Sequence, residues 1–177
     1  MKNVSVNVPL QGVVLDRVLR AQKILDKEMN ISFQKKNQSV PHINLLSGKI
    51  THINIKRLRT DVVKFNKKII KKNFRIKTNG LGIFITDKPV IYVRYYRFKI
   101  FLAIRKFLTL GKYFNTLDNS TATKLWTPKT TIAHKDTNLK NLSNIILLLN
   151  KIDFYEDFKV KKINLTSFSS DKPEVTI

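Results

Sequence analysis

Residues 39–48, SVPHINLLSG, place a histidine directly after a proline, at the start of a short run that alternates and then becomes apolar. The pattern predicts a strand over residues 41–46 that ends at Gly48. Side chains two positions apart on a strand point to the same face, so we expect His42 and Asn44 to lie side by side. A histidine beside an amide suits half of a catalytic or binding site, and the other half must then come from elsewhere in the chain.

A second stretch, WTPKTTIAHKD at residues 126–136, repeats this order of residue types. In both stretches a proline precedes two polar side chains spaced two apart, and an apolar pair follows. The second copy starts 87 positions after the first. The positions that match are Pro41 with Pro128, His42 with Lys129, and Asn44 with Thr131.

The other two histidines are expected to lie outside this pair of motifs. On a regular strand Lys129 and Thr131 share one face and His134 lies on the other, unless a bulge intervenes. We therefore expect His134 to be a structural or rim residue. His52 is expected to be a solvated loop histidine. For His42 itself, a half-buried strand residue without a functional role is the alternative.

The remaining patterns predict an α+β chain in the order β-α-β-α-ββ-α-β-α-β. Strands are expected at 3–8, 41–46, 81–86, 90–96 and within 126–136, 158–168 and 173–177. Helices are expected at 13–29, 60–73, 97–111 and 138–151, with Gly111 closing the third, and residues 112–125 are expected to form a polar loop. The second helix is predicted to start at Thr60–Asp61, with an apolar stripe of Val62, Val63, Phe65, Ile69 and Ile70.

The charge balance points to a polyanionic partner. The chain has 34 Lys+Arg against 12 Asp+Glu, a formal net charge of +22. Such an excess favours nucleic acid as a partner, with an anionic membrane surface second and a merely soluble basic protein as the third reading. We expect phosphate contacts to dominate RNA affinity, and therefore a strong dependence on salt.

Several classes of protein are disfavoured by what the sequence lacks. It has no cysteine, and its three histidines show no metal-ligand spacing, so no disulfide, metal site or cofactor is expected. No stretch is long and apolar enough for a membrane span, and the first residues lack the apolar block of a signal peptide. We therefore expect an intracellular protein, in the cytoplasm or an organelle matrix.

Two basic stretches are candidate nucleic-acid contacts. The polar face of the second helix carries Lys64, Lys67, Lys68, Lys71 and Lys72. A later segment interleaves aromatic and cationic side chains, among them Arg94, Tyr96, Arg97 and Lys99. Cations beside stacking aromatics suit single-stranded RNA. The alternative is a solvated helix face in the first case and core aromatics in the second.

The chain resembles the two-histidine (2H) phosphoesterases, the superfamily of 2′–5′ RNA ligases and cyclic phosphodiesterases. The resemblance rests on VPHINLL, NGLGIFITDKPVIYVRYY, WTPKTTIAHKD and FKVKKINLTSF, and it covers nearly the whole chain with the elements in family order. It implies one domain over residues 1–177, with two pseudo-symmetric lobes of antiparallel sheet and flanking helices around a central cleft. It also implies that His42 and Lys129 occupy the two catalytic positions, and that Asn44 and Thr131 hold the phosphate.

Two of these four positions depart from the family pattern. Asn44 replaces a hydroxyl residue, although its amide can still donate to phosphate. Lys129 replaces the second histidine; lysine binds phosphate well, but its reference pKa of about 10.4 suits a general acid poorly. The sequence therefore favours a protein that binds RNA or a cyclic or 2′–5′ oligonucleotide, with weak or absent hydrolysis. The alternatives are an active metal-independent phosphodiesterase and a basic structural subunit of a ribonucleoprotein such as a ribosome.

Overall fold

The computed structural model describes residues 1–36, 40–122, 126–169 and 172–175. The strands in these ranges are β1 (Lys2–Pro9), β2 (His42–Ile50), β3 (Arg75–Phe84), β4 (Val90–Tyr95), β5 (Thr116–Leu117), β6 (Lys129–Ala133), β7 (Asp157–Lys159), β8 (Asn164–Ser169) and β9 (Lys172–Val175). The helices are α1 (Gly12–Met29), α2 (Phe33–Lys36), α3 (His52–Lys72), α4 (Lys99–Leu110), α5 (Asn119–Ala122) and α6 (Leu142–Leu149), the last preceded by a 3-10 turn at Leu139–Asn141.

These strands form two antiparallel sheets, which confirms the α+β prediction. The first sheet has the order β5-β2-β1-β8-β9 and the second the order β6-β4-β3-β7. The two proline-led stretches therefore lie in different sheets, on β2 and β6. Buried apolar side chains from both sheets and from the long helices join one continuous core.

Helix α3 begins at His52, so the predicted start at Thr60–Asp61 is wrong. The side chain of Thr51 caps the helix by accepting a hydrogen bond from the backbone N–H of Asn54. The additional turns bury Leu58. His52 is exposed, as expected, but it lies in the first turn of the helix and not in a loop.

The apolar stripe predicted for this helix is also partly wrong. The fully buried positions of α3 are Leu58, Val62 and Ile69. Val63 and Ile70 are 41% and 60% exposed. Phe65 is partly buried against the core, so the buried side of α3 is narrower than the predicted stripe.

Several further elements differ from the sequence-based expectation. Strand β2 continues through Gly48 to Ile50, so its predicted end is wrong, and strand β3 begins at Arg75 rather than at residue 81. The predicted loop at 112–125 contains strand β5 and helix α5, while its residues 123–125 lie outside the described ranges. Strand β5 pairs with β2 at Gly48 and Lys49. The stretch at 158–168 contains parts of two strands in different sheets, because β7 joins the second sheet and β8 the first. Of the last predicted strand, β9 reaches Val175, and residues 176–177 are not described.

The two faces of the first sheet differ in chemistry. On one face Val4, Val6 and Val8 alternate along β1 and are buried. On the other, Ser5 donates from Oγ to Oδ1 of Asn44 at 3.1 Å. Helix α3 packs on the apolar face, since its Ile55 lines a small pocket together with Val4. Asn44 and helix α3 consequently lie on opposite sides of the sheet.

Each of the two motif strands contains one extra residue. In β2, Val6 of β1 pairs with Leu46 and Asn7 with Asn44, so Leu45 is unpaired. In β6, the register shift that leaves one residue unpaired falls at Ile132, between Thr131 and Ala133. Such bulges reverse the side-chain parity beyond them. Leu45 and Ile132 occupy matching positions in the two motifs, so the correspondence between the halves extends to their irregularities.

The N-cap of α3 can be tested by removing its hydroxyl. We expect Thr51→Ala to lower the free energy of unfolding by about 1 kcal/mol, because the cap hydrogen bond is lost. The matched control is Thr60→Ala, whose hydroxyl only donates back to the carbonyl oxygen of Lys56 within the helix and whose loss should cost less than about 0.5 kcal/mol. Urea denaturation followed by circular dichroism measures both, and the reverse ranking would place the helix start near Thr60.

Candidate functional site

A cavity of about 650 Å³ opens beside the two motif strands. Its size falls in the range of small-molecule sites in proteins. The lining residues are Gln22, Gln34, Pro41, His42, Asn44, Phe84, Val90, Thr121, Trp126, Thr127, Lys129, Thr130, Thr131 and His134. None of these described residues has a carboxylate. The charge of the wall therefore comes from Lys129 and from either histidine when its ring is protonated.

All four residues expected from the paired motifs line this one cavity: His42, Asn44, Lys129 and Thr131. His134 lines it as well, against the expectation from strand parity. The reason is the bulge at Ile132, which turns the side chain of His134 to the side of Lys129 and Thr131. The cavity wall therefore carries two imidazoles and one ammonium group.

The ring of His42 is held in a defined tautomer. Its Nδ1 lies 2.9 Å from the carbonyl oxygen of Val40, which can only accept, so Nδ1 carries a hydrogen and donates it. In the neutral ring the lone pair is then on Nε2. Burial lowers the pKa of His42, the Val40 hydrogen bond opposes this, and the charge of Lys129 lowers the pKa further. His42 is therefore a neutral hydrogen-bond acceptor at neutral pH.

Lys129 is held against aromatic rings. Its Nζ lies 5.6 Å from the ring centre of Phe84 and 5.7 Å from that of Tyr92. These two rings contact each other with centroids 4.6 Å apart. Burial lowers the pKa of Lys129. Since no described carboxylate lines the cavity, a bound anion would be the natural partner of this ammonium group.

The pKa of His134 is also lowered, first by partial burial and then by the charges of Lys135, Lys129 and Lys88, with Asp136 opposing. The charge of Lys129 therefore lowers the pKa of both cavity histidines. A negative ligand near Lys129 would raise the pKa of both rings.

Side chains behind the cavity join the two sheets directly. Thr130 donates from Oγ1 to the carbonyl oxygen of His42 at 3.0 Å and accepts from the hydroxyl of Tyr95 at 2.9 Å. Trp126 donates from Nε1 to the carbonyl oxygen of Asn44 at 3.2 Å. These contacts set β2 and β6 at a defined separation and so determine the width of the cavity.

A partly buried guanidinium supports the Trp126 side of the wall. Arg105 lies with its Cζ 4.3 Å from the ring centre of Trp126 and donates to the carbonyl oxygens of Leu45 and Thr121. Burial, with the charge of Arg97 second, lowers the pKa of Arg105 to about 10. The sequence reasoning missed Arg105, Trp126 and Phe84. Only the position of Trp126, two residues before Pro128, offered a signal for any of them.

The predicted nucleic-acid contacts divide into two groups in the structure. Arg94 is the cross-strand partner of the cavity residue Lys129, whereas Arg97 is close enough to Arg105 for its charge to lower the pKa of that guanidinium. Tyr96 is 49% exposed, and Lys99 is exposed at the start of α4. The lysines at 64, 67, 68, 71 and 72 are exposed on α3, on the opposite side of the first sheet.

Two comparisons with known proteins found no relative. No family model matches the chain, and no curated protein matches it. Within the described ranges, no group of three histidine, aspartate or glutamate side chains could hold a metal ion, and no helix is long and apolar enough to cross a membrane.

The electrostatic coupling across the cavity can be measured by proton NMR. We expect Lys129→Met to raise the pKa of His42 toward its ordinary value of about 6.5, because one cation is removed while the ring stays buried. Lys135→Met is the matched control. The charge of Lys135 lowers the pKa of His134 and not that of His42, so this variant should leave the titration of His42 unchanged. An unchanged His42 titration in Lys129→Met would show that the two groups do not face each other.

Proposed function

We propose that the cavity binds the phosphate of a nucleotide or of an RNA end. The observation that carries the proposal is the Lys129 ammonium in a cavity wall without a described carboxylate. Asn44 and Thr131 add an amide and a hydroxyl on the same wall, and both can donate to phosphate oxygens. His42 adds a ring that gains a proton more readily once an anion is bound.

The rest of the cavity suits the base and sugar of a nucleotide. A volume of about 650 Å³ accommodates far more than a phosphate ion. Trp126 and Phe84 present aromatic surface, and bases stack well on such rings. Arg94, the cross-strand partner of Lys129, provides a cation for a neighbouring phosphate of a longer strand. A formed cavity of this kind favours ligand binding over a purely structural role in a ribonucleoprotein.

Slow hydrolysis of a cyclic or 2′–5′ phosphodiester is the second candidate function. His42 has its lone pair on Nε2 and can take a proton from an attacking water. The lowered pKa of Lys129 makes it a better proton donor to the leaving oxygen than an exposed lysine would be. Both groups line one cavity, yet a lysine remains a weaker general acid near neutral pH than the histidine of the 2H pattern.

The binding proposal is tested by removing one charge. We expect Lys129→Met to weaken binding of adenosine 2′,3′-cyclic phosphate roughly 10- to 100-fold, the loss expected for a hydrogen bond to a charged group. Lys72→Met on α3 removes the same charge on the other side of the sheet and should leave this affinity unchanged. Isothermal titration calorimetry measures both, and a wild-type protein that binds no nucleotide at low salt would disprove the proposal.

The catalytic candidate is tested by restoring the missing histidine. We expect weak or absent turnover of 2′,3′-cyclic nucleotides by the natural chain, and an increase of at least about tenfold in Lys129→His, because a general acid with a pKa near 6.5 suits neutral pH. Adding His42→Ala to that variant should remove the gain. Fast turnover by the natural chain that His42→Ala abolishes would instead establish the second candidate as the main function.

A further inference from the structure

The outward face of helix α3 carries a concentrated positive charge. Between His52 and Lys72 the cations are Lys56, Arg57, Arg59, Lys64, Lys67, Lys68, Lys71 and Lys72. The one carboxylate in this segment, Asp61, is already engaged: it pairs with Lys64 at 3.2 Å and accepts from the hydroxyl of Tyr113 at 2.7 Å. This surface faces away from the cavity beside β2 and β6, so the phosphate site that we propose there does not account for the charge of α3.

The same face also exposes large aliphatic side chains. Ile53, Ile70 and Val63 are 80%, 60% and 41% exposed. With 3.6 residues per turn, positions 53, 56, 60, 63, 67 and 70 fall on one stripe of the helix. This stripe therefore combines the aliphatic residues Ile53, Val63 and Ile70 with the cations Lys56 and Lys67, and Thr60 lies among them.

A small apolar pocket of about 190 Å³ adjoins the first turns of α3. Its apolar lining comes from Val4, Ile55 and Leu165. The cations around it are Lys2, Lys56 and Arg59, and the imidazole of His52 also lines it. Ser167 also lines this pocket; it is only 3% exposed, and its Oγ finds no hydrogen-bond partner among the described residues.

We propose that this face of α3, together with the adjoining pocket, docks on an anionic lipid surface. Clusters of four to eight basic residues on a helix are attracted to acidic headgroups. Exposed aliphatic side chains gain by entering the boundary between headgroups and acyl chains. The pocket offers space for an aliphatic segment below a ring of cations, with the Ser167 hydroxyl as a donor in its wall.

The choice of lipid over RNA rests on the apolar residues. Surfaces that bind single-stranded RNA pair their cations with aromatic rings on which bases stack. The large apolar side chains exposed on α3 are all aliphatic. Docking through α3 would leave the nucleotide cavity on the other side of the first sheet open, so this proposal and the proposed function stand or fall separately.

Flotation of the full chain with lipid vesicles tests the proposal. We expect binding at low salt to vesicles of equal parts phosphatidylcholine and phosphatidylglycerol, and none to phosphatidylcholine alone. Reversing Lys67, Lys68, Lys71 and Lys72 to glutamate should lower the partition coefficient by roughly 100-fold or more, since each basic residue near such a surface contributes about fivefold. The matched control reverses four exposed lysines elsewhere and should retain most of the binding: Lys23, Lys27, Lys140 and Lys151.

A second variant separates lipid from other polyanions. Ile53→Ser combined with Ile70→Ser changes no charge at two exposed positions, so it should fold normally and weaken vesicle binding roughly tenfold. Its affinity for a uridine oligonucleotide should not change. The proposal is overturned if anionic vesicles do not bind, if the control reversals are equally damaging, or if the aliphatic pair has no effect. Oligonucleotide binding that depends on the α3 lysines, without vesicle binding, would assign this face to RNA.

Discussion

One hydroxyl group connects the two halves of the site. Thr130 donates to the backbone of β2 at His42 and accepts from Tyr95 in its own sheet. A threonine hydroxyl has one hydrogen to give, so both of these contacts are satisfied in a single orientation. Thr130 is almost fully buried, so the loss of its hydroxyl would leave the carbonyl oxygen of His42 and the hydroxyl of Tyr95 without this partner. The relative position of His42 and Lys129, and with it the shape of the cavity, depends on this contact.

The electrostatics of the cavity follow from what surrounds it. Burial disfavours the charged forms of both His42 and Lys129, and the charge of Lys129 further disfavours protonation of His42. The nearby guanidinium of Arg105 is compensated by carbonyl oxygens and by the face of Trp126, with no described carboxylate among these partners. Under the proposed function, a negative ligand would offset the positive charge of this wall.

Much of this site could be predicted from the sequence, because alternation and a proline are local signals. The two proline-led stretches mark β2 and β6, and the matching of His42 with Lys129 places both in one cavity. The bulges could not be predicted, since an extra residue appears only when a strand is paired with its neighbour. For this reason strand parity predicts the wrong side for His134.

The start of α3 is predicted wrongly for a related reason. Thr51 and Thr60 are both suitable N-caps, and the burial of Leu58 against the core decides between them. Contacts such as Arg105 with Trp126 join distant segments and leave no local pattern.

If the cavity binds an anion as proposed, the lowered pKa values of His42 and His134 would couple that binding to the pH of the solvent. An anion beside Lys129 offsets the charge that keeps both rings neutral, so the complex should hold more protons than the free protein. Binding then consumes protons, and its apparent strength rises as the medium becomes more acidic down to the titration range of the ligand itself. The heat of binding should accordingly vary with the ionisation enthalpy of the buffer, since the buffer supplies those protons. Under the proposed function, the cavity would therefore act as a proton-linked receptor, whether or not a bond is broken in it.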